Sequence, residues 1–149
     1  MEVVGRIRRL NINVVCLLET RVRHNKMLKI FNNQFSSWKL HHNYNDAPNG
    51  RIWFIWRDNL HVDLVAVTKQ CITCCIMENS RKFFLSVVYE SNEGLERRDL
   101  WSHLISISNS ICEDPWMLVR DFNVIAHPSE ISLPILQKVL MNFRILILT

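Results

Sequence analysis

The sequence predicts an α/β layered sheet, and three observations carry that expectation. Short apolar runs rich in β-branched and aromatic residues recur along the chain. Stretches with apolar residues at helical spacing are interspersed among them. The composition, 48% hydrophobic and 21% charged over 149 residues, is that of one globular domain with enough chain to bury a core. Mixed strands and helices of this kind pack as layers on a shared interior.

Each element follows from its local pattern. NVVCLLE, residues 13–19, is a short apolar β-rich run. RVRHNKMLKIFNNQF, residues 21–35, places Met27, Leu28, Phe31 and Phe35 at helical spacing. The turn signal NDAPNG leads into GRIWFIW, residues 50–56, which reads as an aromatic strand. HVDLVAV, residues 61–67, alternates Val62, Leu64 and Ala66. QCITCCIM, residues 70–77, and KFFLSVVY, residues 82–89, read as two strands joined by the polar turn ENSR. ERRDLWSHLISISNSIC, residues 96–112, carries Leu100, Leu104, Ile107 and Ile111 on one helical face, with Ser91 or Asn92 as the expected cap. WMLV, residues 116–119, is the last clear strand.

Charge and cysteine usage narrow the class without naming a function. The net charge of +4 permits a polyanionic partner and does not demand one. Five cysteines are an odd number, and the opening MEVVGRIRRL is too short and too charged for a secretory leader. Reduced thiols in an intracellular compartment, nuclear or cytoplasmic, are expected. Cys71 and Cys74 have a Cys-x-x-Cys spacing, but a strand would turn them to opposite faces, and no second ligand pair stands nearby. His41, His42 and His61 lack a ligand-helix pattern and read as surface residues. Trp53 and Trp56 read as core or edge aromatics. Lys138 and Arg144 interrupt the apolar tail well short of a membrane span.

Three strand ends share a feature. One run ends on Glu19, another on Tyr89, and WMLV leads through Arg120 to Asp121 and Asn123. Layered folds place reactive groups at one rim of a sheet in this way. An acid, a phenol and an Asp/Asn pair at a common rim suit metal-assisted hydrolysis. Mg²⁺ prefers carboxylate oxygens and keeps several waters. A carboxylate can orient or deprotonate the attacking water, and a carboxamide and a phenol can hydrogen-bond phosphate oxygens. Taken singly, a Glu or Tyr closing a strand is more often a solvated strand end.

The segments CLLETRV, GRIWFIW, SVVYESN, ERRDLW, PWMLVRDFNVI and PSE occur in the order and near the spacing of one family. The chain resembles the endonuclease/exonuclease/phosphatase superfamily, and more narrowly the endonuclease domains of plant LINE-type non-LTR retrotransposons. The resemblance implies the DNase I-like fold, here a partial four-layer α/β/β/α sandwich. It also implies DNA as partner and Mg²⁺ as cofactor. By motif position, Glu19 would hold the metal and Tyr89 would sit near the scissile phosphate. Asp121 would position or activate the nucleophilic water, and Asn123 would orient that aspartate and the phosphate.

The departures set the expected activity. Arg120 stands where the family writes glycine, and Glu90 where relatives carry a small residue. The family's N-terminal asparagine segment and its C-terminal Ser-Asp-His segment have no match. Residues 1–130 are therefore expected to form an incomplete domain, with residues 131–149 a divergent apolar tail, either a core helix or sequence from an unrelated junction. The expected function is that of a remnant of a Mg²⁺-dependent DNA endonuclease with little or no activity. A non-catalytic nucleic-acid-binding or interaction remnant, or a phosphatase of the same fold, stands as the alternative.

Overall fold

The computed structural model describes residues 9–121 and 145–148 together with Gly5 and Ile7, with side chains as far as Arg120. Two four-stranded sheets pack face to face with a helix on each outer side. One sheet contains β1 (Val14–Leu18), β2 (Trp38–His42), β3 (Ile52–Arg57) and β8 (Ile145–Leu148), in the order β2-β3-β1-β8. The other contains β4 (His61–Val67), β5 (Cys71–Glu78), β6 (Arg81–Tyr89) and β7 (Trp116–Asp121), in sequence order. Helix α1 (His24–Gln34) follows β1, and α2 (Gly94–Ile111) connects β6 to β7.

Period-two alternation sorts the layers. Val14, Cys16 and Leu18 of β1 and Ile52, Phe54 and Trp56 of β3 meet Ile72, Cys74 and Ile76 of β5 and Phe83, Leu85 and Val87 of β6 in the inter-sheet core. The opposite parity faces the helices. Val15, Trp53 and Ile55 pack with Met27 and Phe31 of α1. Cys71 and Val88 pack with Leu100 and Leu104 of α2, and Cys75 and Phe84 with Ile107 and Ile111. The layers thus run α/β/β/α.

Connections follow local chemistry. Asn79 and Ser80, with φ of 48° and 65°, form a two-residue turn between β5 and β6 in which both central residues are left-handed, as a tight hairpin requires. The parallel pair β6/β7 needs a crossover, which α2 supplies. Cys71 and Cys74 lie on opposite faces of β5, in different clusters. Among the described residues no helix is long and apolar enough to cross a membrane.

Several local expectations differ from what is seen. Helix α1 begins at His24 rather than residue 21, because Arg21 has a left-handed φ of 48° that a helix cannot include. Leu28 is exposed, since Met27 and Phe31, four apart, hold the contact face. Glu93, not Ser91 or Asn92, is the cap of α2, while Ser91 Oγ accepts the Glu93 N–H two residues on. His41 and His42 are half-buried rather than surface residues, with the His41 ring 4.6 Å from that of Trp56. Strand β2 was not expected. It is a half-exposed edge with no clean alternation. Within the tail, Ile145–Leu148 runs parallel to β1, with Val14 level with Ile145. The rest of residues 131–149 lies outside the described residues.

Candidate functional site

The strand ends meet at one rim through sheet register. In the antiparallel pair β1/β3, Leu18 is level with Ile52, which sets Glu19 beside Arg51. In the parallel pair β6/β7, Tyr89 is level with Asp121. The two sheets are then tied across the rim. Arg51 Nη1 donates to the Tyr89 hydroxyl at 2.7 Å, and the guanidinium lies 5.0 Å from the centre of the Tyr89 ring. Glu19, Tyr89 and the backbone of Asp121 therefore share this rim. The side chain of Asp121 and all of Asn123 lie outside the described residues.

Glu19 is held in an uncommon conformation. Its φ is 51°, and Arg21 follows at 48°, a left-handed region that costs a non-glycine residue roughly 1 kcal/mol or more. Arg21 donates to Glu19 Oε1 from Nε at 3.2 Å and from Nη2 at 2.5 Å. That hydrogen bonding and the Arg21 charge hold the Glu19 carboxyl below the usual carboxylate range, with a smaller contribution from Arg51. The pair is open to water, since the Arg21 side chain is 82% exposed, so it is a weak, screened ion pair.

Buried amides build the wall behind Arg51. Asn43 is fully buried, and its Oδ1 accepts the N–H groups of Arg51 at 3.1 Å and Ile52 at 3.0 Å. Its Nδ2 donates to the carbonyls of Lys69 at 2.9 Å and Thr68 at 3.3 Å, in the turn between β4 and β5. One side chain thus joins the start of β3 to the other sheet. Gln70 acts alike, donating to Glu96 O at 2.6 Å and accepting the Ser91 N–H at 2.7 Å. Gly50 is required at the turn: its φ is +51°, and a β-carbon there would fall 1.8 Å from Tyr44 Cε1.

Beside Tyr89 opens a cleft of about 420 Å³, walled by Arg51, Lys69, Gln70 and the segment from Glu90 to Glu93. Lys69 pairs with Glu96 at its edge, and the hydrogen bond and charge of Lys69 lower the Glu96 carboxyl. The two departures from the family pattern face one another, with Arg120 Nη1 3.8 Å from Glu90 Oε2. The arginine in place of glycine is therefore accommodated half-buried, opposite an acid of matching charge.

Arg51, Asn43 and Gln70 were not singled out from the sequence. A charged residue between a turn glycine and an apolar strand was the available signal for Arg51. No sequence signal marks a buried amide. Among the described residues no group of three histidine, cysteine, aspartate or glutamate side chains gathers as a metal cage. Among the described residues the rim carboxylate beside Arg51 is that of Glu19, and a carboxylate oxygen suits a hard cation that keeps most of its waters, as Mg²⁺ does.

No family model matches the chain, and no curated protein matches its sequence. Solved structures do. An endonuclease/exonuclease/phosphatase family protein from Bacteroides thetaiotaomicron superposes with a TM-score of 0.60 at 14% identity, over 86% of this chain and 56% of that one. D. rerio TDP2 in complex with a single-strand DNA product gives 0.59 at 13% identity, over 83% and 52%. The endonuclease domain of TRAS1, a telomere-specific non-LTR retrotransposon, gives 0.55 at 8% identity, over 75% and 59%. The chain spans little more than half the length of each. At these identities the likeness establishes the fold, which is DNase I-like.

Proposed function

We propose that this chain, a polypeptide of DNase I-like fold, is a remnant of a Mg²⁺-dependent DNA endonuclease of retrotransposon descent, with little or no hydrolytic activity of its own. The observation that carries the reading is the register at the rim, which sets Tyr89 level with Asp121 and brings Glu19 beside Arg51, the residue bonded to Tyr89. The likeness to a retrotransposon endonuclease domain and to a protein solved with a DNA product supports it.

In this reading the Glu19 carboxylate, at the rim, would hold Mg²⁺ in place of its pairing with Arg21. When bound, the metal offsets negative charge on the phosphate oxygens. Tyr89 donates its hydroxyl proton in a hydrogen bond to a phosphate oxygen. Asp121 accepts a proton from the attacking water, and Asn123 orients that aspartate. The last two roles rest on their place in RDFN.

Low activity follows from the residues present: Arg120 and Glu90, 3.8 Å apart, stand where the family pattern has glycine and a small residue, and they add bulk and a negative charge beside the phosphate-facing strand end. Plasmid nicking by the purified 149-residue chain with Mg²⁺, beside an Asp121→Ala control and a phosphomonoester assay, is the test. Nicking near background with measurable DNA binding is expected. Robust nicking abolished by Asp121→Ala would overturn the remnant reading, and turnover of the monoester alone would favour a phosphatase.

A further inference from the structure

We propose that Arg51 is a phosphate-binding residue of this site, presenting its guanidinium to a non-bridging oxygen of a DNA backbone phosphate beside the Tyr89 hydroxyl. The inference rests on the reading of the rim as phosphate-facing and adds a residue to it.

Four observations converge on this arginine. It is half-buried, and among the described residues one of its guanidinium N–H groups is used, on the Tyr89 hydroxyl at 2.7 Å. None of the ion pairs among the described residues includes it. Its backbone is fixed from behind by the fully buried Asn43, so the side chain starts from a rigid point at the head of β3. It faces the cleft and lies between two acids, for its charge reaches both Glu19 and Glu96.

The chemistry selects the ligand. A guanidinium has five N–H donors in a planar fork and stays charged at any working pH. Among the described residues no carboxylate pairs with it directly; drawing a guanidinium partly out of water is unfavourable, and an anion that takes two parallel N–H bonds relieves that cost. Phosphate oxygens match the fork. The Tyr89 hydroxyl accepts from Arg51, which leaves its own proton free to point at the same anion. The guanidinium therefore both orients the phenol and adds a positive charge where phosphate would lie.

The test is equilibrium binding of a fluorescein-labelled single-stranded oligonucleotide, read by anisotropy across a KCl series in EDTA so that no hydrolysis intervenes. The chain is compared with Arg51→Gln, Arg51→Lys and Arg81→Gln. Arg81 is exposed and begins β6 at the end opposite Tyr89, so its replacement removes the same charge away from the rim. Arg51→Gln is expected to weaken binding roughly tenfold or more and to lower the salt slope by about 0.7, the loss of one phosphate contact on a single strand. Arg51→Lys, which keeps the charge and the stem but loses the fork, should restore the slope and only part of the affinity. Arg81→Gln should leave both unchanged. If the unaltered chain binds but Arg51→Gln behaves as Arg81→Gln does, this inference fails and the proposed function stands. If the unaltered chain does not bind the oligonucleotide at all, the DNA-directed function fails and Arg51's role with it. Should Arg51→Gln not fold, as judged by circular dichroism, a loss of affinity at unchanged slope in Arg51→Lys supports the role of the guanidinium fork, and affinity and slope both unchanged there overturn it.

Discussion

Replacing Asn43 with alanine tests whether one buried amide locks the rim together. Asn43 makes four hydrogen bonds while fully buried: it accepts from the Arg51 and Ile52 amides and donates to the Lys69 and Thr68 carbonyls. In Asn43→Ala the Ile52 N–H is left without an acceptor in a place where Ile52 is itself fully buried. The Arg51 N–H and the two carbonyls lie nearer the surface and can recover part of their loss from water. A buried polar group stripped of its partner costs about 1–3 kcal/mol, so the variant should lose about 2–4 kcal/mol. That is a large share of the roughly 5–15 kcal/mol that holds a domain folded. With a urea slope of about 2 kcal/mol per molar, the midpoint should fall by roughly 1–2 M at unchanged slope. Tryptophan fluorescence can follow it, since Trp53 is buried and donates to the Tyr44 hydroxyl in the adjoining loop. Asn45→Ala, at an exposed position two residues on, should stay within about 0.5 kcal/mol. An Asn43→Ala midpoint indistinguishable from that control would refute the argument that this side chain joins the two sheets.

Four further outcomes are expected. Gly50→Ala should destabilise the fold by about 2–4 kcal/mol, from the left-handed backbone and the collision with Tyr44, and an unchanged thermal midpoint would contradict the turn geometry. Burial lowers the pKa of His41, His42 and His103 below the ordinary 6.5. The unfolded chain therefore takes up protons first as pH falls through 6.5, and stability is lost in that window; urea midpoints at pH 7.5 and 5.5 should show the drop, and replacing the three with glutamine should flatten it. Burial raises the thiols of Cys16, Cys71 and Cys74, that of Cys71 to about 11, whereas Cys112 is exposed; iodoacetamide labelling read by mass spectrometry should modify Cys112 well before those three. Arg120→Gly alone should leave nicking at background and cost stability by stranding Glu90, an effect of under about 1 kcal/mol that Glu90→Ala should cancel; additive losses in the double variant would show that the pair is not coupled.

The sequence by itself determined the layers and the candidate rim. The continuous apolar runs in GRIWFIW and KFFLSVVY and the three- and four-residue spacing of Leu100, Leu104, Ile107 and Ile111 are local properties, and burial of both faces of those strands and of one face of the helix follows from them through the hydrophobic effect. Glu19, Tyr89 and Asp121 could be placed at strand ends for the same reason, because each directly closes or follows an apolar run. Only the tertiary structure decided which groups meet across the sheets. Arg51 and Tyr89 are 38 residues apart, Asn43 and Lys69 are 26 apart, and nothing in either neighbourhood announces its partner. The edge strand β2 was likewise invisible, since a half-exposed strand is specified by pairing with β3 and not by its own weak pattern. Local periodicity fixes which face of an element is apolar. Hydrogen-bond partners between elements are chosen by where register and sheet packing bring donors and acceptors together, and that choice exists only once the chain has folded.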